Sequence, residues 1–292
     1  VRFLQPGQLS VVLNRVTGGD VSRILGQLDA NGQVFLINPN GILFGPNSVV
    51  NVGSLVASTL SLSDEDFLAG NYNFTQDMPR DLAAVVNQGK ITVVDGGYAV
   101  LTGPSVINEG TIVARTGHVR LAAGEKATLN LDGRDLVHFS LDGQVTDGTV
   151  LLAPGMMSDV IAQTLGVDRA QRADKLIRLE DGSVKMVSSS GTLVQSGIVS
   201  VDGREGQDAG TVGLESTDLT IVAEGSVTSA SGQGLASNAG EVVVLSQLDG
   251  HYDPMSKTIF QPGALLAAAG GETGDAGFIE VSGEWVDLSG NV

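Results

Sequence analysis

The chain has 292 residues and no cysteine, which excludes disulfides and thiolate chemistry. Hydrophobic residues make up 42% of it and charged residues only 17%, which excludes a disordered chain. The formal net charge of −17 argues against nucleic acid and anionic membranes as partners, because both repel an acidic surface.

The chain opens directly in strand-like sequence, and its first residue is Val1, not methionine. The chain does not begin with a basic segment followed by an apolar run, as a signal peptide would. No run of about 18 apolar residues occurs, so we expect no membrane insertion. We therefore expect a fragment that lacks its native N-terminus.

A tight turn is predicted at residues 38–41, where the apolar run 35–37 gives way to Asn-Pro-Asn-Gly and apolar residues resume at Ile42. Pro39 suits the second position of a turn, and the Asn-Gly pair suits positive φ. Further along, Ser63 followed by three acidic residues predicts a short capped helix.

The chain repeats one unit from residue 89 onward. Each unit is a glycine that opens an alternating apolar–polar run, then a turn, then a second glycine that opens another such run. The paired glycines are Gly89 and Gly97, Gly110 and Gly117, Gly197 and Gly210, Gly225 and Gly240, and Gly263 and Gly277. One such strand pair cannot bury its apolar face alone, so we expect the units to stack on one another.

Stacked repeats of this kind predict an all-β fold, a right-handed single-stranded parallel β-helix of the pectin-lyase-like type. A β-propeller would repeat every 40–50 residues with aromatic signatures, and a left-handed helix would show a six-residue period. A β-sandwich would rarely repeat glycine units so regularly. Asn87 and Asn108 precede their unit glycines by two residues each, and we expect them to stack as a side-chain ladder.

One segment departs from the repeat. Residues 158–179 have apolar side chains at helical spacing behind a capping Ser158, which predicts a short helical insertion within residues 154–181. Beyond it, generic coils resume. We therefore divide the chain into a first domain, residues 1–140, and continuing β-helix coils over residues 141–292.

No catalytic or metal-binding arrangement is evident. His118, His138 and His251 lack the spacing of metal ligands, and no Gly-x-Ser-x-Gly segment occurs. Aspartates cluster near glycine-rich turns, where weak calcium binding is conceivable but turn formation already explains them. These aspartates are Asp132, Asp135, Asp142 and Asp147. We expect no enzyme, no cofactor and no metal.

The first 140 or so residues resemble the N-terminal secretion domain of two-partner secretion exoproteins, the filamentous-haemagglutinin type. The stretches that carry the resemblance are residues 12–19, 24–28, 30–42, 52–58, 67–70 and 117–124. The sequence of these stretches is more similar to the high-molecular-weight adhesin branch than to contact-dependent toxins. A second Asn-Pro-Asn-Leu motif, present in some subfamilies, is absent, and the family's N-terminal capping strands are missing.

The resemblance implies a secretion-targeting domain of a large adhesin in a Gram-negative bacterium. A cognate outer-membrane pore would recognise it through periplasmic domains and export it across the periplasm to the cell surface or the medium. The residues implied in export are Asn38, Pro39, Asn40, Gly41 and Ile42, with structural support from Asn14, Arg15, Asn31 and Gly32.

The exported protein would contribute to virulence through cell adhesion or haemagglutination, with a host-cell or matrix carbohydrate or protein as ligand. Two alternatives remain open at this point. One is an autotransporter-like β-helical passenger, and the other is a β-helical enzyme that acts on polysaccharides.

Overall fold

The structure, a computed structural model, describes residues 1–76, 83–129, 191–246 and 256–288, together with the backbone of residues 137–138, 175–178 and 184–187. In chain order, the first half consists of β1 (Arg2–Phe3), β2 (Val11–Arg15), β3 (Ser22–Ile24), β4 (Gln27–Ala30), β5 (Gln33–Ile37), β6 (Ile42–Phe44), β7 (Val49–Val52), β8 (Ser54–Ser58), α1 (Asp64–Ala69), β9 (Tyr72–Thr75), β10 (Ala84–Asn87), β11 (Lys90–Val93), β12 (Tyr98–Gly103) and β13 (Ser105–Asn108).

The second half continues the same pattern of short strands. It consists of β14 (Thr111–Val113), β15 (His118–Ala123), β16 (Lys126–Leu129), β17 (Val137–His138), β18 (Lys175–Arg178), β19 (Val184–Val187), β20 (Thr192–Gln195), β21 (Ile198–Ser200), β22 (Thr211–Ser216), β23 (Leu219–Val222), β24 (Val227–Ser229), β25 (Glu241–Ser246), β26 (Lys257–Phe260), β27 (Leu265–Ala267), β28 (Phe278–Ser282) and β29 (Trp285–Leu288).

Three parallel sheets of eight strands each run along the molecule. Sheet A has the order β1-β4-β7-β11-β14-β21-β24-β27, sheet B β2-β5-β8-β12-β15-β22-β25-β28, and sheet C β3-β6-β10-β13-β20-β23-β26-β29. Each circuit of the chain adds one strand to every sheet, so the described part contains eight stacked coils, numbered here from the N-terminus. The fold is a right-handed parallel β-helix, as the sequence predicts.

The core lies inside the coils because each strand places alternate side chains inward. In β11, Ile91 and Val93 are buried, whereas Lys90 is exposed. Ile91 stands directly above Ile112 of the next coil, and Ile112 above Val199, so equal positions of successive coils stack apolar side chains on one another. The inward side chains of all three sheets form one continuous cluster.

Tight packing at the corners explains the repeated glycines. A Cβ atom at Gly110 would lie 2.2 Å from the carbonyl oxygen of Gly89, and one at Gly197 would lie 2.0 Å from that of Gly110. No real Cβ contact is that short, so these positions require glycine because the backbone of one coil rests on the next. Gly89, Gly110 and Gly197 are stacked in this way at the corner between sheets C and A.

The predicted asparagine ladder is present inside the coils. Asn87 Nδ2 donates to Asn108 Oδ1 at 2.8 Å, and Asn108 Nδ2 donates to Gln195 Oε1 at 2.8 Å. All three side chains are fully buried. Gln195 extends the ladder by one coil, which the sequence did not indicate.

A second apolar layer covers the outer face of sheet B in the N-terminal coils. It contains α1, which Ser63 caps by accepting a hydrogen bond from the Asp66 backbone N–H, as predicted. It also contains the antiparallel sheet β17-β16-β9. Phe35 contacts Phe67 at a ring-centroid distance of 5.8 Å and Tyr72 at 5.1 Å. Strand β5 is therefore buried on both faces after Gln33, which is why residues 34–37 are apolar without alternation.

The predicted helical insertion is wrong where the structure describes it. Lys175–Arg178 is strand β18 and pairs antiparallel with β19. The sequence between the two strands contains Asp181-Gly182, a dipeptide typical of hairpin turns, and this local signal outweighs the helical spacing of Leu176 and Ile177. The rest of the predicted insertion, the four turn aspartates and the proposed boundary at residue 140 lie outside the described residues. In the described ranges, no helix has both the length and the hydrophobicity that a membrane crossing requires.

Candidate functional site: the Asn38–Ile42 turn

The motif singled out in the sequence is the turn that carries the chain from β5 in sheet B to β6 in sheet C. The Gly41 backbone N–H donates to the Asn38 carbonyl at 3.1 Å, which closes a four-residue turn. Gly41 has a φ of 124°, in a region that side-chain-bearing residues avoid. Ile42 follows as a fully buried core residue. The predicted turn is thus confirmed.

The side chain of Asn38 is buried, at 0% exposure, and forms four hydrogen bonds. Its Nδ2 donates to the Asp20 carbonyl at 2.9 Å and to Ser22 Oγ at 2.8 Å. Its Oδ1 accepts from Asn40 N at 2.9 Å and from Asn40 Nδ2 at 3.0 Å. A carboxamide has two donors and two lone pairs, so every hydrogen-bonding position of Asn38 is used.

Asn40 completes the same network. Its side chain is 4% exposed, and Nδ2 also donates to the Gly18 carbonyl at 2.7 Å. The two asparagines of coil 2 therefore bind the carbonyls of Gly18 and Asp20 in coil 1. Val21 lies beside this turn, because a Cβ added at Gly41 would lie 3.5 Å from both of its γ carbons. Pro39 is half-buried at the second turn position.

The segment that these asparagines bind is the Thr17–Asp20 loop, which joins β2 to β3. All four of its residues are exposed. The motif is therefore an internal support, and the surface that lies over it belongs to coil 1. In the sequence, residues 17–19 belong to a stretch that carries the family resemblance, but nothing there assigned a role to the loop.

Of the four expected supporting residues, Arg15 joins coil 1 to the outer layer. Its guanidinium forms an ion pair with Asp64 at 2.7 Å and donates to the Leu62 carbonyl. The ion pair ties β2 to the first turn of α1. Asn14, its neighbour in β2, is exposed on the strand.

Asn31 and Gly32 meet at a second network, centred on Gln5. The Gln5 backbone N–H donates to Asn31 Oδ1 at 2.7 Å, and Asn31 Nδ2 donates to the Gln5 carbonyl at 2.8 Å. The Gly32 N–H donates to Gln5 Oε1 at 3.1 Å. A Cβ at Gly32 would lie 2.6 Å from the Ser10 carbonyl, so glycine is required there. Gln5 was missed because nothing in the sequence marks a polar residue whose partners lie 26 residues away.

Tyr98 is a buried tyrosine that contacts β5, the strand that leads into the Asn38–Ile42 turn. Its hydroxyl donates to Gln33 Oε1 at 2.6 Å on the outer face of sheet B. Burial raises the pKa of Tyr98 well above its usual value, with a further contribution from nearby Tyr72. Tyr98 therefore remains a hydrogen-bond donor at all physiological pH values. In the described part of the chain, no three His, Asp or Glu side chains converge to hold a metal ion.

The comparisons with known proteins point in one direction. Residues 1–201 match the family model of the TPS secretion domain. Two curated proteins named heme/hemopexin-binding protein are similar, both from Haemophilus influenzae. One is 41% identical over 138 residues, which is 45% of this chain and 15% of the relative. The other is 42% identical over 76 residues, which is 26% of this chain and 8% of the relative.

The chain thus spans only a small part of these curated relatives. Among solved structures, the HMW1 secretion domain from Haemophilus influenzae has the same fold, with a TM-score of 0.56 over 99% of this chain and 73% of that one. Their sequences are 24% identical, so this likeness concerns the fold alone. TPS domains target exoproteins of two-partner systems for secretion and are not a known enzyme family. Because the family model covers more than half of the residues, the chain belongs to the TPS secretion domain family.

Proposed function

We propose that this chain is the part of a large exoprotein that the periplasmic domains of a cognate outer-membrane transporter recognise, and that recognition depends on the Asn38–Ile42 turn. The observation that carries the proposal is the hydrogen-bond network of Asn38 and Asn40. A turn alone requires Pro39 and Gly41, whereas the two buried amides serve to fix the exposed Thr17–Asp20 loop. In this proposal the motif affects recognition by the transporter indirectly, because it holds the exposed Thr17–Asp20 loop in place.

The distribution of charge supports recognition at the N-terminal coils. Residues 1–62 contain three arginines and two aspartates, so the whole acidic excess of the chain lies in residues 63–292. Like charges repel across an interface and slow its formation. The N-terminal coils are therefore the part of the molecule that approaches another protein with the least dependence on the partner's charge.

The proposal is tested by secretion of the full-length exoprotein with its transporter. Asn38→Ala and Asn40→Ala should each lower the secreted amount several-fold. Asn87→Ala is the matched control, because it removes an equally buried amide from the ladder, away from the Thr17–Asp20 loop. Secretion of Asn87→Ala should stay close to wild type. Equal losses for all three variants would mean that secretion follows stability, and normal secretion of the Asn38 and Asn40 variants would reduce the motif to a turn.

We further propose that the exported protein is surface-exposed or secreted and acts in adhesion or haemagglutination. The name of the two Haemophilus influenzae relatives raises capture of heme or hemopexin as a second candidate. That likeness covers 15% or less of either relative, so it supports a shared export route more than a shared ligand. Binding of the full-length exoprotein to erythrocytes, compared with binding to immobilised hemopexin, distinguishes the two activities.

A further inference from the structure

The two glycines of the Thr17–Asp20 loop have no structural requirement within the chain. Neither Gly18 nor Gly19 has a positive φ. A Cβ atom at either position would meet nothing within 4 Å. Glycine at a position that tolerates alanine lowers stability, because it raises the conformational entropy of the unfolded chain. These glycines therefore contrast with Gly41, which needs its φ, and with Gly110, which needs its close packing.

Bare backbone is useful where another molecule must approach closely. Within the described part of the chain, the backbone N–H groups of Gly18, Gly19 and Asp20 donate to no protein acceptor. The carbonyls of Gly18 and Asp20, by contrast, accept from Asn40 and Asn38. Two carbonyls of the loop are thus bound by coil 2, whereas its N–H groups at residues 18–20 have no acceptor in the described part of the chain.

The loop is also anchored by hydrogen bonds within the chain itself. The carbonyls of Gly18 and Asp20 accept from side chains that are themselves buried, and directly after the loop the Ser22 N–H donates to the Gly41 carbonyl at 3.0 Å. Fixing a flexible loop on binding costs affinity, and a loop that is already fixed avoids that cost. The Thr17–Asp20 loop thus combines three features: two glycines with open space around them, backbone N–H groups without an acceptor in the described chain, and carbonyls that are held by buried side chains.

From these observations we propose that the Thr17–Asp20 loop is the contact by which coil 1 docks on the periplasmic domain of the transporter. Its exposed N–H groups donate to hydrogen-bond acceptors of that domain, and Gly18 and Gly19 let the two backbones approach. Asn38 and Asn40 are positioning residues for this loop. The inference rests on the proposed function, since it names the surface that the transporter recognises.

The test measures binding of this chain to the purified periplasmic domains of its transporter by calorimetry. Gly18→Gln and Gly19→Gln add a neutral side chain in open space, so circular dichroism should stay unchanged and the thermal midpoint should not fall. Each should weaken binding at least tenfold. Gly26→Gln is the matched control, because Gly26 is equally open and lies at another corner of the same coil. Its affinity should remain within twofold of wild type.

Two results of this binding experiment would overturn the inference, and a third would reject the proposed function. Wild-type affinity of the Gly18 and Gly19 variants would show that nothing approaches the loop. Equal weakening by Gly26→Gln would show that the partner covers coil 1 without specific use of the loop. Absence of binding by the wild-type chain would instead reject the proposed function itself, so the two failures are distinguishable.

Hydrogen exchange supplies a readout that a merely structural loop would not change. In the complex, the amide protons of Gly18, Gly19 and Asp20 should exchange more slowly than in the free chain, because they would donate to the transporter. Unchanged exchange at these three amides in a saturated complex would also reject the proposal. Asn40→Ala should weaken binding and abolish this protection, whereas Asn87→Ala should leave both intact.

Discussion

Asn108 donates its side-chain amide to Gln195 and accepts that of Asn87, so one buried residue joins three successive coils. Asn108→Ala would leave the donor of Asn87 and the acceptor of Gln195 without this partner inside the core. Each buried polar group that loses its partner costs about 1–3 kcal/mol. We expect Asn108→Ala to lower the free energy of unfolding by about 2–4 kcal/mol, measured by denaturant titration.

The control for that variant is Asn51→Ala. Asn51 Nδ2 also donates to the preceding coil, to Asp29 Oδ1 at 3.2 Å, but this bond is exposed on sheet A. Surface substitutions of this kind stay within about 0.5 kcal/mol. If the two variants lost equal stability, burial of the ladder would not be the cause.

The corner between sheets A and B should tolerate no side chain. A Cβ at Gly210 would lie 1.7 Å from the carbonyl oxygen of Gly117, and each glycine directly precedes a strand of sheet B, β22 and β15 respectively. Overpacking costs about 1–3 kcal/mol, and here the neighbour is backbone, so we expect Gly210→Ala to cost at least about 2 kcal/mol. Gly7→Ala, which adds a Cβ in open space, should be nearly neutral. A stable Gly210→Ala variant in thermal unfolding would contradict the close packing.

Besides the Arg15–Asp64 ion pair, the attachment of α1 to the β-helix should depend mainly on the side chain of Phe67. Phe67 contacts Phe35 and Tyr72, whereas its neighbour Leu68 is 83% exposed. Phe67→Ala should cost about 1–3 kcal/mol and speed hydrogen exchange in α1, because an aromatic pair contributes beyond its buried area. Leu68→Ala should change neither. Equal protection of α1 in both variants would show that other contacts hold the helix.

Stability should fall below neutral pH because of His118. Burial lowers the pKa of His118 below its ordinary value of 6.5, and the Arg120 guanidinium lowers it further. As pH falls below 6.5, His118 therefore binds a proton in the unfolded chain before it does so in the folded chain. Its full contribution to the free energy of unfolding is present above pH 6.5 and is lost as pH falls toward the folded pKa.

The measurement is the thermal midpoint of wild type and His118→Gln from about pH 7.5 to about pH 5.5, a window chosen to stay above the titration of most carboxyls. The wild-type midpoint should decrease more over this range than that of the variant. Parallel curves would mean that His118 titrates alike in both states. Burial raises the pKa of Glu125, so the folded chain binds this proton before the unfolded chain does. At the low-pH end, Glu125 therefore raises the thermal midpoint, whereas His118 lowers it.

Local sequence signals predicted much of this fold. The corner glycines, the turn at residues 38–41 and the stacking of Asn87 on Asn108 all follow from constraints within one coil or between adjacent coils. The helix expected through residue 179 shows the limit of such signals. Over so short a stretch, helical spacing and the pattern of a paired strand are hard to distinguish, and tertiary pairing decides between them.

Contacts between distant parts of the chain could not be predicted in this way. Arg120 forms an ion pair with Glu215 at 2.6 Å, and the two residues are 95 positions apart. The support of the Thr17–Asp20 loop by Asn40 spans 22 positions and depends on the register of coil 1 against coil 2. The sequence thus indicated the Asn38–Ile42 turn, whereas its contact with the exposed loop of coil 1 could be seen only in the structure.

The ladder also shows how little a large insertion costs a stacked fold. Asn87 and Asn108 are 21 residues apart, whereas Asn108 and Gln195 are 87 apart, and strands β16–β19, which lie between β15 and β20 in the sequence, belong to none of the three long sheets. Loop-closure entropy grows only with the logarithm of length, so the longer closure costs about 1 kcal/mol more than the shorter one. A single buried amide pair is enough to offset that difference. Insertions at one corner can therefore grow and diversify in related chains while the coils above and below keep their register.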